Sequence, residues 1–217
     1  VVAALVVLGR PRRGDLRSGL AVIAPEDRVA ARWHTAYGVT GGLLVTLPSV
    51  AGLDGDLVAG SLVPVIWSMG VAEWQVVRMR RRIFDLLNEA ITLDFFRTQA
   101  VLLLHGSSRR YAAGLVALTV VVLAVAVPLT GAAPSAPVLA GLGFGLALGL
   151  AFFRALIVTS LGGIRIVVVV LAVSVALAAV ALALLPTGPA LLVAPVAAFV
   201  LLLRPCRYAV CDPTRHM

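Results

Sequence analysis

The chain has 217 residues, of which 61% are hydrophobic and 13% charged, with a mean hydropathy of +1.05. An ordinary soluble domain carries roughly 25% charge. A disordered chain, a collagen and a disulfide scaffold are excluded, and a globule of this size could not hide so much apolar surface from water. What remains is an all-α, polytopic transmembrane helix bundle. The net charge is +8, and all 18 basic residues are Arg. Without Lys, neither a P-loop nor a lysine Schiff base can be built.

In chain order, residues 1–36 read as a cytoplasmic or interfacial segment. Val1–Leu8 is apolar but too short to span, and reads either as the inner end of a seventh span or as a helix on the membrane. Pro25-Glu26-Asp27 opens a helix with acids in its first turn, and Val29, Ala30, Trp33 and Tyr37 give it an apolar face that leads into the first span. Residues 37–73 form a transmembrane hairpin of Tyr37–Leu53 and Leu57–Glu73, turned by Asp54-Gly55-Asp56. Residues 74–110 are a cytoplasmic helical segment. Residues 111–203 hold four more spans: Tyr111–Thr130, Pro137–Phe153, Ile164–Leu185 and Pro189–Leu203. Short links predict antiparallel neighbours. Residues 204–217 are read as a cytoplasmic tail.

The Arg residues orient these six spans. Six precede the first span, seven lie between the second and third, two flank the turn at 154–165, and three follow the sixth. The alternate links carry none. By the positive-inside rule both termini are cytoplasmic, in a plasma membrane, and a bacterial inner membrane fits the GC-rich codon usage that absence of Lys suggests. Trp33, Tyr37, Trp74, Tyr111 and Tyr208 fall at the predicted inner interface, while Trp67 lies deeper and is expected between helices.

No ionisable residue falls in the middle of a span, which argues against a proton relay. Gly141, Gly145 and Gly149 make a double G-x-x-x-G stripe for close helix packing, and Gly38 and Gly42 a weaker copy. In the cytoplasmic segment Val76, Ile83, Leu87 and Ala90 recur at helical spacing. Arg78, Arg80, Arg81, Arg82, Asp85 and Glu89 occupy the rest, with Arg81 and Asp85 spaced for an ion pair. Thr92 or Asp94 caps a second short helix through Leu104, which Gly106-Ser107-Ser108 then breaks. The Arg run has two readings: an anchor on anionic inner-leaflet lipids, or a docking surface for a soluble partner. Nucleic acid is disfavoured, because the charge is spread over four membrane-flanking links. Cys206, Cys211 and His216 are too few and too widely spaced for a zinc site. No catalytic motif occurs, so no catalytic residue, metal or cofactor is assigned and no enzyme is expected.

The layout of an interfacial helix, six spans and a long cytoplasmic helix after the second resembles the membrane permeases of six-helix ATP-binding-cassette exporters. The resemblance is architectural and covers most of residues 15–205. It implies an elbow helix at Pro25–His34 and a coupling helix at Arg78–Asp94 that engages a separate cytoplasmic ATPase. It also implies a homodimer or a second membrane subunit as partner, with rocking across the Gly141/Gly145/Gly149 seam. The chain departs from that family in its shortness and in lacking a sizeable outer re-entrant segment before the sixth span. A non-transporting membrane scaffold or accessory protein is the alternative. An intramembrane lipid-modifying enzyme is the weakest option, with only Asp85, Glu89 and Asp94 to serve it.

Overall fold

The computed structural model describes residues 25–52, 55–89, 92–130, 135–212 and 214. The expectations for residues 1–24, Asp54, residues 131–134, Arg215 and His216 lie outside them. The elements in order are α1 (Pro25–Val50), α2 (Gly55–Glu89), α3 (Leu93–Thr130), α4 (Ala136–Ser160), α5 (Ile164–Leu184), α6 (Thr187–Leu201) and α7 (Leu203–Cys211). No strand occurs among the described residues.

Four stretches are long and apolar enough to cross a bilayer: Leu93–Val125, Val138–Ser160, Ile164–Leu184 and Pro189–Cys211. In α1 and α2 an apolar part is fused to a polar one within a single helix. The helix predicted to lie at the interface is therefore continuous with the first span, without a separate elbow: the helix runs from Pro25 to Val50, and its internal proline, Pro48, falls in the last turn.

At the centre stands α4, packed against α2, α3, α5, α6 and α7. Phe144, Leu148, Ala151, Ala155 and Val158 fill its buried faces. Its neighbours α5 and α6 form the expected antiparallel hairpin. The hairpin expected of α1 and α2 is loose, and α1 leans instead on α5. There the Arg165 guanidinium lies 5.6 Å from the Trp33 ring centroid, joining the starts of the two helices. Gly52, at φ +77°, supplies the left-handed turn after α1, a conformation that costs glycine nothing.

The helices α2 and α3 pack against each other as a long antiparallel pair. Buried Ser61, Val65, Ser68, Ala72, Val76, Met79 and Ile83 recur along α2 at steps of four, three, four, four, three and four, the spacing of one buried helix face. Opposite them lie Phe96, Ala100, Leu104, Ser107, Tyr111 and Leu115 of α3. The break expected at Gly106-Ser107-Ser108 is absent. Ser107 falls on the buried face between Leu104 and Tyr111, so tertiary packing overrides the local propensity. Thr92 does cap α3: the Phe95 amide donates to its Oγ1 at 3.3 Å.

Residues 204–211, read as part of a cytoplasmic tail, belong with Leu203 to α7, which lies against α3 and α4. Leu202, Cys206, Ala209 and Val210 make its buried stripe, at the i, i+4, i+7, i+8 spacing of an amphipathic helix.

Candidate functional site

The glycine stripe on α4 faces two helices at once. A Cβ on Gly145 would run into the Ser61 backbone carbonyl of α2. A Cβ on Gly149 would come within 2.7 Å of Leu115 Cδ2 and 3.3 Å of the Tyr111 hydroxyl, both on α3. Gly141 is buried on the same helix. Tyr111 stacks on Phe153 of α4 with centroids 4.4 Å apart and shares a hydrogen bond of 2.9 Å with Ser68 of α2. One buried tyrosine thus holds three helices together. Gly38 and Gly42 behave differently. Both are exposed, with nothing within 4 Å of an added Cβ, and it is Gly41 that meets Phe152. Trp67, expected between helices, is 63% exposed on the outward face of α2, beside Ile66.

Past Trp74, α2 carries the Arg run. Arg78, Arg80, Arg81, Arg82, Asp85 and Glu89 are all exposed. The Arg78 guanidinium sits 5.1 Å from the Trp74 ring centroid. Val77, Arg80, Arg81, Phe84 and Asp85 line a shallow groove. The expected Arg81–Asp85 pair is not formed. Among the described residues, the ion pair present is Arg97 with Asp94 at 3.9 Å. Both side chains on α2 are in open solvent, where a pair four residues apart gains only a few tenths of a kcal/mol.

A second basic site escapes the sequence reading. Its residues come from a segment read as a short helix (Arg97) and the stretch where it ends and breaks (His105, Ser108), a turn (Arg154) and a tail (Arg204, Arg207). Folding brings α3, α4 and α7 together, so that Leu104, His105, Ser108, Arg154, Leu203, Arg204 and Arg207 surround a cavity of about 220 Å³. Arg204 and Arg207 also border a larger groove with Arg97, Thr98, Val101, Leu102, Tyr208 and Cys211. The Arg154 guanidinium lies 4.2 Å from the Phe199 ring centroid of α6, and its Nε is buried with no hydrogen-bond partner. The available signal was the amphipathic stripe of α7, which shows that Arg204 and Arg207 ride on a docked helix.

Cys206 is fully buried and Cys211 half-buried. Among the described residues no group of three or more His, Cys, Asp or Glu side chains is placed to hold a metal.

Outward-facing Ile66, Trp67, Val120, Val125, Val169, Val173, Val180 and Leu184 are exposed on the apolar helices. Water would not tolerate so large an apolar surface, whereas lipid does. The fold therefore defines a polytopic helical membrane protein. No protein-family model, no curated protein and no solved structure matches the chain.

Proposed function

We propose that the chain is an integral membrane permease-like subunit of an exporter, driven by a separate cytoplasmic ATPase that docks on the inner end of α2. The observation that carries this reading is the continuity of α2 and α3. Beyond Trp74, α2 runs on to Glu89 without a break, about 22 Å at 1.5 Å per residue. Its seam with α3 stays packed through Met79, Ile83, Phe96 and Ala100. A force on Arg80, Arg81 and Arg82 would be transmitted along the pair to Ser61, Ser68 and Tyr111, where both helices meet α4.

Six spans with a basic inner face follow from a simple count. One hydrocarbon thickness takes about 20 residues. Counting that far from Val50, Gly55, Thr130, Ala136, Leu184 and Thr187 arrives near Ala31, Trp74, Tyr111, Ala155, Arg165 and Cys206. Each lies at an Arg or within four residues of one: Arg32, Arg78, Arg110, Arg154, Arg165 and the pair Arg204/Arg207. Each of the six helices thus meets an Arg about one hydrocarbon thickness from its other end, which supports cytoplasmic termini and a plasma-membrane location. The inner side is also where anionic lipids and an ATPase would be met. A homodimer or a second membrane subunit would complete the permease.

One observation favours the alternative of a non-transporting scaffold: α4 is enclosed by apolar packing from five helices. The test is purification of the full chain with its neighbours. The permease reading predicts that an identified soluble ATPase co-purifies, and that binding and any stimulated ATP hydrolysis are lost in Arg80→Glu/Arg81→Glu/Arg82→Glu. A chain that purifies alone, and to which the ATPase encoded beside it does not bind, supports the scaffold.

A further inference from the structure

We infer that the cleft between α3, α4 and α7 binds the phosphate headgroup of an anionic phospholipid from the inner leaflet. The proposal rests on the membrane level assigned above, but not on transport or on an ATPase. Three arginines, Arg154, Arg204 and Arg207, line one cavity of about 220 Å³, together with His105 and Ser108. No acid lines it. The nearby carboxylates are engaged elsewhere: Asp94 with Arg97, and Asp212 as acceptor for the Thr214 amide and hydroxyl.

The donors suit phosphate. Guanidinium groups present paired N–H donors that match phosphate oxygens, and Ser108 adds a hydroxyl. The His105 Nδ1 lies 2.9 Å from the Val101 carbonyl. A carbonyl only accepts, so Nδ1 donates to it, and Nε2 of the neutral ring is an acceptor; the phosphate donors are the guanidinium groups and the Ser108 hydroxyl. Arg154 is held from behind by the Phe199 ring, which fixes its position without neutralising its charge.

A lipid is favoured over a soluble phosphate by what adjoins the cavity. Arg204 and Arg207 are shared with a neighbouring groove lined also by Val101, Leu102 and Tyr208. Leu102 and Tyr208 are 59% and 68% exposed. This places an exposed apolar strip beside the cations, which an amphiphile can cover and a free phosphate cannot. Basic pockets between helices on the cytoplasmic side are suited to anionic headgroups.

The test is native mass spectrometry of the full chain in detergent, titrated with phosphatidylglycerol and, as reference, phosphatidylcholine. Phosphatidylglycerol is expected to bind saturably and more tightly. Arg204→Gln/Arg207→Gln should weaken it roughly tenfold or more, while Arg204→Lys/Arg207→Lys retains most of the binding. Arg109→Gln/Arg110→Gln removes the same charge from exposed positions on α3 outside the cleft, and should stay within about twofold. Millimolar inorganic phosphate should not displace the lipid. Equal weakening by both Gln pairs, no preference for phosphatidylglycerol, or displacement by inorganic phosphate would each overturn the proposal. Should the α7 pair fail to purify, Arg207→Gln alone is expected to lower affinity several-fold, and unchanged affinity overturns it equally.

Discussion

Gly145 and Tyr111 carry more of the packing than any charged residue does. In lipid no hydrophobic force draws helices together, so close van der Waals contact and interhelical hydrogen bonds take its place. Gly145→Ala sets a methyl group against the Ser61 backbone, which cannot rotate away. We expect a loss of about 1–3 kcal/mol, the range of overpacking, read as a lowered midpoint in detergent unfolding. Gly149→Ala meets the flexible end of Leu115 and should cost less. Gly38→Ala and Gly42→Ala meet open space and should be neutral or slightly stabilising, through helix propensity. If all four behave alike, the asymmetry of the stripe is wrong. Ser68→Ala removes the partner of the Tyr111 hydroxyl. Its expected cost is about 0.6 kcal/mol, the mean for interhelical bonds in membranes, and Tyr111→Phe should match it in the same unfolding measurement.

Among the elements, the α2–α3 pair makes the sharpest claim, because on the proposed span count it extends beyond the membrane into water. There the hydrophobic effect operates again, and Phe96, 1% exposed, is a buried side chain of the pair. Phe96→Ala should cost about 3–5 kcal/mol locally. Hydrogen exchange should then accelerate across 76–104 while 136–160 stays protected. Uniform acceleration would mean that the pair is no independent unit. The helices themselves were legible from hydropathy and period: Val76 and Ile83 announce the buried face of α2, and the apolar runs at 164–185 and 189–203 announce α5 and α6. Two features were not. Gly106-Ser107-Ser108 reads as a break because local propensity says nothing of the partner helix that buries Ser107. Arg204 to Cys211 reads as a tail because Pro205 and two Arg mask a four-residue apolar stripe. The basic cleft was illegible for a related reason. Arg154 and Arg204 are fifty residues apart, and only the docking of α7 against α3 and α4 brings them together.

For the whole molecule the distribution of charge is the organising fact. Eighteen Arg fall on alternate links of the sequence, and on the six-span reading proposed above, those among the described residues form a basic girdle on one side of the membrane. The same girdle supplies the Arg80–Arg82 surface and the Arg154/Arg204/Arg207 cleft, so both functional readings depend on which side of the membrane it faces. Native thiols are poor reporters, since Cys206 is fully buried. Single cysteines placed in a Cys206→Ala/Cys211→Ser background are better. Ser135 precedes α4 and Glu89 ends α2, and both are exposed. The decisive measurement is labelling of Ser135→Cys and Glu89→Cys with an impermeant maleimide in intact cells and again after permeabilisation. The account predicts that Ser135→Cys labels in both and Glu89→Cys only after permeabilisation; labelling of Glu89→Cys in intact cells would contradict it.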